Sequence, residues 1–173
     1  GVADETNNYG SSSPPCGGPA APEGWKVRVE WVWTKPSLDP TSNRVINPPV
    51  VIDVDGDEVP DVVFVSSYHG TVAYASQSRL RAVSGRDGSE IWSVTDPALG
   101  LNGAFRLAAA DIDLDGRPEI VAGADDSRTL VAFEHDGTFK WRSPILVEQP
   151  GWGGPSIADL DADMGTLRDL RYT

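Results

Sequence analysis

Two acidic segments that share one pattern constrain the fold of this 173-residue chain more than any other feature. They read DVDGDEVPD at residues 53–61 and DIDLDGRPE at residues 111–119, with acids at positions 1, 3, 5 and 9. A third segment, DLDAD at residues 159–163, repeats the first three acids. Self-similarity of this kind indicates a repeat architecture.

The sequence between the acidic segments has the character of short strands and turns. The segments begin 58 and 48 residues apart, which is the length of a four-stranded β-propeller blade with its loops. Asp-Gly pairs at residues 87–88 and 136–137 are typical of hairpin turns, because glycine accepts a positive φ. No run of ten or more residues has apolar side chains at helical spacing. The sequence therefore predicts an all-β fold of four-stranded antiparallel propeller-type blades, about two complete and one partial at each end.

The predicted strands follow the same order in each repeat, one before the acidic segment and three after it. They are NPPVVIDV, PDVVFVSS, RLRAVSG and EIWSV, then FRLAAADI, PEIVAGA, TLVAFEH and TFKWRSP. GPSIADL resembles the first strand of a following blade. WKVRVEWVW resembles the last strand of a preceding blade, with alternate residues on one face: Trp25, Val27, Val29, Trp31 and Trp33. We expect aromatic residues at equivalent strand positions to pack between blades: Trp31, Trp33, Trp92, Phe133, Phe139 and Trp141.

The chain divides by composition at about residue 25. Residues 1–24 are rich in Gly, Ser, Pro, Asn and Ala, which predicts a flexible tail or linker. This segment holds Cys16, the only cysteine, so an internal disulfide is excluded. Residues 25–173 are predicted to form the repeats, with room for about three blades, whereas closed propellers have four to eight. We expect these residues not to close a propeller alone.

The net charge of the chain disfavours two classes of binding partner. Lys and Arg number 14 against 26 Asp and Glu, giving a net charge of −12, so nucleic acid and anionic membrane surfaces are poor partners. No apolar run reaches the roughly 18 residues that a membrane helix needs. Because 12 of the 26 acids fall in the three acidic segments, we expect local cation sites there.

Calcium is the cation that the acidic segments fit best. It takes six to eight oxygen ligands at about 2.3–2.6 Å, which alternate carboxylates in a tight loop can supply. The expected carboxylate ligands are Asp53, Asp55, Asp57 and Asp61 in the first loop, and Asp111, Asp113, Asp115 and Glu119 in the second. Position 7 would add a backbone carbonyl, from Val59 and from Arg117. An EF-hand is excluded because its bidentate Glu at position 12 is replaced by Phe64 and Ala122.

The third acidic segment departs from this pattern. It keeps Asp159, Asp161 and Asp163 as candidate calcium ligands, but position 9 is Leu167. The Pro-acid-hydrophobic start of an outgoing strand is missing. A third calcium site therefore depends on whether Asp169 supplies the closing ligand.

These motifs resemble a known family over residues 45–163. VIDVDGDEVPDVVF and AADIDLDGRPEIVAG resemble the FG-GAP/VCBS repeats of integrin-α-like β-propellers, and RLRAVSGRDGSEIW and TLVAFEHDGTFKW resemble the second half of such blades. The resemblance implies calcium-binding loops between the first two strands of each blade. It also implies a secreted or cell-surface protein that acts in adhesion, carbohydrate contact or matrix assembly.

Three classes of function follow from these observations. An enzyme is disfavoured, because the acidic clusters are explained as calcium ligands and His69 and His135 fall at a strand end and beside a turn. We favour a calcium-stabilised extracellular structural or adhesive protein that assembles through shared blades into a ring or filament. Its partners would be copies of itself or the remaining blades of a larger chain. The alternative is a module of a larger secreted protein that binds extracellular glycans or proteins.

Overall fold

The computed structural model describes residues 28–34, 36–68, 78–144, 153–158 and 170–172. The described residues form an all-β fold with one 3-10 turn at Pro97–Leu99, which confirms the predicted class. The strands are β1 Ser42–Val45, β2 Val50–Ile52, β3 Asp61–Tyr68, β4 Arg79–Val83, β5 Glu90–Val94, β6 Ala108–Ala110, β7 Glu119–Gly123, β8 Leu130–Phe133, β9 Phe139–Arg142, β10 Pro155–Ile157 and β11 Leu170–Tyr172. Within these ranges no helix has the length and apolar character needed to cross a membrane.

The first antiparallel sheet, which we call blade 1, consists of β1 to β5. Its strand order is β1-β3-β4-β5, and β2 also pairs with β3. β2 pairs with the start of β3 and β1 with its end, so the two short strands share one edge of a long strand. The sequence did not predict β1, because its residues lack an alternating apolar pattern and only Ser42 is buried. Ser42 Oγ donates to the carbonyl of Ser66 at 3.0 Å, so a polar contact anchors this strand.

The second sheet, blade 2, has the predicted order β6-β7-β8-β9, and β10 and β11 form a separate two-stranded sheet. Both pairings are antiparallel throughout. The third acidic segment lacks the Pro-acid-hydrophobic start of the expected outgoing strand, yet β11 follows it and pairs with β10. The strand was missed because Leu170–Tyr172 is only three residues long and lacks the preceding proline.

Both predicted Asp-Gly turns connect hairpins. Gly88 and Gly137 have φ of 75° and 82°, angles at which a residue with a side chain would be strained. The outer strand of each blade also contains a β-bulge: the β5 residue Ile91 and the β9 residue Lys140 are skipped in the pairing with the neighbouring strand. The bulge in β9 interrupts the alternation of faces, and Phe139 is 45% exposed. The prediction that Phe139 packs between blades is therefore wrong.

The main hydrophobic core lies between the two blades. Blade 1 contributes Val63, Val65, Leu80 and Ala82, and blade 2 contributes Ile120, Ala122, Val131 and Phe133. All of these side chains are at most 3% exposed. Full burial of such a valine, leucine, isoleucine or phenylalanine contributes about 1.5–3 kcal/mol, so the interface between blades stabilises both. A second cluster on the other face of blade 2 includes Val121 and Leu130, with Trp141 and Ile157 packed against it.

The segment 28–34 lies against the other face of blade 1 but forms no strand. The rings of Trp33 and Phe64 meet edge to face, with centroids 4.8 Å apart, and the indole nitrogen of Trp31 donates to the carbonyl of Gly85 at 3.0 Å. Both tryptophans are partly buried, as predicted, but Val29 is 74% exposed. The expected shared face therefore does not extend to Val29, because side-chain contacts rather than a strand pairing hold this segment. Trp25 and Val27 lie outside the described residues.

Candidate metal centres

The first acidic loop joins β2 to β3 and brings three carboxylates together. One oxygen from each of Asp53, Asp55 and Asp57 lies within 4.8 Å of the other two. Ligands bound to one calcium at 2.3–2.6 Å can be at most about 5 Å apart, so this cluster has the dimensions that calcium requires. Asp55 and Asp57 are exposed, which leaves the cluster open to solvent.

The second loop, between β6 and β7, repeats the cluster with Asp111, Asp113 and Asp115, again within 4.8 Å. Main-chain amides hold the first acid in both loops: Asp53 accepts from the amides of Gly56 and Glu58, and Asp111 from those of Asp115 and Gly116. These amide contacts fix the position of the first carboxylate in each loop. Both clusters therefore present carboxylate oxygens, which are the ligands that calcium prefers.

The backbone of both loops turns at the same two positions. Gly56 and Leu114 at position 4 have φ of 81° and 62°, and Glu58 and Gly116 at position 6 have φ of 65° and 89°. Each loop thus contains two left-handed residues, of which only one is glycine. A side chain in this region costs roughly 1–2 kcal/mol, so each loop retains one strained residue.

The fourth acid of each loop is fully buried at the start of the outgoing strand. Asp61 Oδ2 accepts from the amide of Val54 at 3.0 Å, and Glu119 Oε2 accepts from the amide of Ile112 at 2.6 Å. These contacts fasten the beginning of the loop to its end. Asp61 and Glu119 follow the three-acid clusters in sequence but are not members of them. Burial raises the pKa of Glu119. Ligation by Asp61 and Glu119 stays a prediction.

The residues at position 7 also occupy equivalent places. The amides of Val59 and Arg117 each donate to the carboxylate at position 5 at 2.8 Å. The Arg117 side chain is exposed, and its guanidinium contacts His135 Nε2 at 2.6 Å. An outward side chain is compatible with a carbonyl ligand at this position, which stays a prediction.

Two basic residues that no sequence pattern predicted reach the acidic loops. Arg86 contacts Asp57 at 3.0 Å. The hydrogen bond from the Val59 amide lowers the pKa of Asp57, and the contact with Arg86 adds to this effect. Lys140 contacts Asp113 at 2.6 Å and Glu119 at 3.3 Å. Both basic residues lie more than twenty positions from the loop acids they contact, Asp57, Asp113 and Glu119, so no local pattern could have revealed these pairs.

Several predicted residues lie outside the described residues. These are the third set of candidate ligands Asp159, Asp161 and Asp163, together with Leu167, Asp169, His69 and Cys16. The tail at residues 1–24 is also outside them. His135 belongs to the β8–β9 turn, where its carbonyl accepts a hydrogen bond from Trp92 Nε1 at 2.9 Å.

Comparisons with known proteins identify a repeat family. The model of the FG-GAP-like repeat family matches residues 53–122 and again residues 111–164. The chain is also similar to the crystal structure of the V. cholerae biofilm matrix protein Bap1, at 30% sequence identity and a TM-score of 0.65. The similarity covers 84% of this chain and 25% of Bap1, so the chain spans about a quarter of the length of that protein. The comparison with curated proteins gave no match.

Proposed function

The chain belongs to the FG-GAP-like repeat family, and from this premise we propose that it is a calcium-stabilised extracellular repeat protein with a structural or adhesive role. One observation carries the proposal: two carboxylate clusters of the same dimensions occur at the same register of two successive blades. The similarity to a biofilm matrix protein supports the extracellular setting and the structural role. We further propose that the protein is not an enzyme, and we expect hydrolase and lyase assays on polysaccharides to stay at background.

In this proposal Asp53, Asp55 and Asp57 hold one ion and Asp111, Asp113 and Asp115 hold another. Bound calcium supplies positive charge that removes the repulsion among clustered carboxylates. The chain's own contribution is to hold these carboxylates in place, through the amide contacts to Asp53 and Asp111. The third segment, Asp159, Asp161 and Asp163, is proposed as a further site.

The calcium proposal is tested by melting and binding measurements on the 173-residue chain. A ligand that binds only the folded state stabilises it by about 2.7 kcal/mol at a hundredfold excess over Kd. We expect calcium to raise the melting temperature and EDTA to lower it. Asp53→Asn/Asp55→Asn should remove one binding event in calorimetry. Glu30→Gln/Asp96→Asn removes the same charge outside the loops and should leave binding unchanged. Equal calorimetric traces for the two double variants would contradict the proposal.

We also propose that further blades pack against the described ones, either from the remainder of a longer polypeptide or from copies of this chain. Val62, Phe64 and Val83 on blade 1 line an apolar cleft of about 210 Å³ together with Trp31 and Trp33. Apolar blade faces are covered by neighbouring blades elsewhere in this structure, as in the core between blades 1 and 2. A head-to-tail contact between copies would produce a ring if its rotation closes and a filament if it does not.

Assembly between copies is tested by light scattering on the full chain and on a variant that lacks residues 25–33. We expect concentration-dependent oligomers for the full chain and their loss in the variant, with calcium binding retained. A monomeric full chain at micromolar concentration would favour the other source of blades, a longer polypeptide. Coverage of only a quarter of Bap1 supports that alternative.

The second candidate function is a module that binds glycans or proteins. The cleft supports it, because two tryptophans line its wall and the Trp33 indole nitrogen is buried with no acceptor among the described residues. A partner with an oxygen acceptor would satisfy this donor. Tryptophan fluorescence titration with a panel of oligosaccharides tests it, and Trp33→Phe should weaken any binding that uses the cleft.

A further inference from the structure

Lys140 directs its ammonium group into the acidic loop of blade 2. Its Nζ donates to Asp113 at 2.6 Å, to Glu134 at 2.8 Å and to Glu119 at 3.3 Å. The side chains of Lys140, Glu119 and Asp113 are 18%, 0% and 44% exposed, so the ammonium group lies between a buried acid and the open part of the cluster. Charge-assisted hydrogen bonds in such an environment are about twice as strong as neutral ones.

The β-bulge in β9 gives Lys140 this direction. The residue is skipped in the pairing with β8, and bulges commonly re-aim a side chain in this way. Blade 1 has a bulge at the same place, where the skipped residue is Ile91. Ile91 packs against the core between the blades. One structural position therefore carries a cation in blade 2 and an apolar residue in blade 1.

The cation beside the first loop is held differently. Arg86 contacts Asp57 with both side chains exposed, at 63% and 37% of their surfaces. Exposed ion pairs of this kind contribute little, because solvent and salt screen the two charges. Among the residues that the structure describes, the first loop therefore has no counterpart of the partly buried ammonium group that contacts two acids of the second loop.

We propose that Lys140 is a tethered counter-cation of the second loop, which gives that loop a lower calcium affinity than the first. The inference rests on the proposed calcium function and concerns only the difference between the loops. The ammonium group has to leave Asp113 and Glu119 before these carboxylates can serve as ligands. While it stays, it reduces the repulsion within the acidic cluster, so blade 2 depends less on calcium than blade 1.

The contacts of Lys140 keep its ammonium group at the loop. Its Nζ donates to two acids of the loop, Asp113 and Glu119, and to Glu134 beside the β8–β9 turn. The two loops would then fill at different calcium concentrations, the first loop before the second.

Nuclear magnetic resonance can follow the two loops separately in one molecule. The amides of Gly56 and Gly116 donate to Asp53 and Asp111, so each reports on one loop. On titration with calcium chloride, we expect Gly56 to reach its midpoint before Gly116. In Lys140→Met, the Gly116 midpoint should move to lower calcium by about tenfold or more, with the Gly56 midpoint unchanged. Arg86→Met is the control and should shift the Gly56 midpoint by less than about threefold.

A second measurement does not depend on a substitution. The chain has three lysines, Lys26, Lys35 and Lys140, so acetylation can be quantified at each by mass spectrometry. Lys140 should react slowly without calcium and faster at saturating calcium. A Gly116 midpoint that is unchanged or higher in Lys140→Met, or a Lys140 reactivity that ignores calcium, would overturn the inference alone. If neither glycine responds to calcium in either protein, the proposed calcium function fails as well.

Discussion

The indole nitrogen of Trp92 in blade 1 donates a hydrogen bond to the carbonyl oxygen of His135 in blade 2, at 2.9 Å. The ring lies so close to the turn that a Cβ added at Gly137 would be 2.9 Å from Trp92 Cε3. Trp31 makes the same contact one blade earlier, with its nitrogen on the Gly85 carbonyl and its ring against Gly88. A tryptophan, from β5 in one case and from the segment 28–34 in the other, thus covers the Asp-Gly turn of the blade that follows it.

This contact predicts that Gly137→Ala destabilises the protein more than positive φ alone explains. The matched control is Gly116→Ala, at φ 89°, where an added Cβ would meet nothing within 4 Å. We expect the control to cost about 1–2 kcal/mol from backbone strain and Gly137→Ala to cost about 1–3 kcal/mol more from displacement of Trp92. Urea unfolding in calcium-free buffer measures both. Equal losses of unfolding free energy would show that Trp92 moves aside without cost.

The acidic loops predict stabilising substitutions at their non-glycine left-handed residues. Leu114 and Glu58 have φ of 62° and 65°. Replacing Leu114 with glycine should relieve about 1 kcal/mol of strain, partly offset by the greater entropy of the unfolded chain. Leu114→Ala is the matched control, because it removes the half-exposed side chain and keeps the strain. We expect thermal unfolding to rank Leu114→Gly above Leu114→Ala, and Glu58→Gly above Glu58→Ala. The reverse order in both loops would mean that these backbone angles are not strained.

Local sequence patterns were sufficient for much of this structure. The acidic loops, the Asp-Gly turns and the apolar strands of both blades follow from residue spacing, because each depends on neighbours within about ten positions. The bulges depend on how two strands pair, so the exposure of Phe139 and the direction of Lys140 were not predictable. The buried Arg81 was missed for the same reason. It lies within an apolar-looking strand, yet it contacts Ser66 and Ser93 on the neighbouring strands.

The two hairpin turns predict how stability depends on acid pH. Asp87 accepts hydrogen bonds from Ser89, and Asp136 from Thr138, and these contacts lower the pKa of both carboxyls below 3.8. A carboxyl whose pKa is lower in the folded state than in the unfolded state stabilises the fold at pH values above the unfolded pKa. This stabilisation is lost as the pH falls through the folded pKa. We therefore expect unfolding free energy to decline as pH falls below about 4.

The variant Asp87→Asn/Asp136→Asn tests the origin of this decline. Asparagine still accepts a hydrogen bond but does not titrate, so the slope of unfolding free energy against pH should be shallower between about pH 4 and pH 2. Glu30→Gln/Asp96→Asn, which removes the same number of carboxylates elsewhere, serves as the control. An unchanged slope in the turn variant would assign the acid sensitivity to other groups.

Strand pairing identifies the residue that should close the third acidic loop. In the first two loops, the residue before the first acid pairs with the fourth acid: Ile52 with Asp61, and Ala110 with Glu119. In the third repeat Ile157 pairs with Leu170. Counting one residue further in each direction reaches Ala158, which directly precedes Asp159, and Asp169. We therefore predict that Asp169, and not Leu167, corresponds to Asp61 and Glu119, with two extra residues between the first acid and the last.

We predict that Asp169→Asn removes one calcium ion per chain at saturation, because the third loop loses its closing carboxylate. Equilibrium dialysis with radioactive calcium measures the stoichiometry. Leu167→Asp is the comparison, since it places an acid at the ninth position by simple count. If the strand register determines which acid closes the third loop, Leu167→Asp should not raise the calcium affinity. Wild-type stoichiometry in Asp169→Asn, or tighter binding in Leu167→Asp, would show that the third loop does not follow the register of the first two.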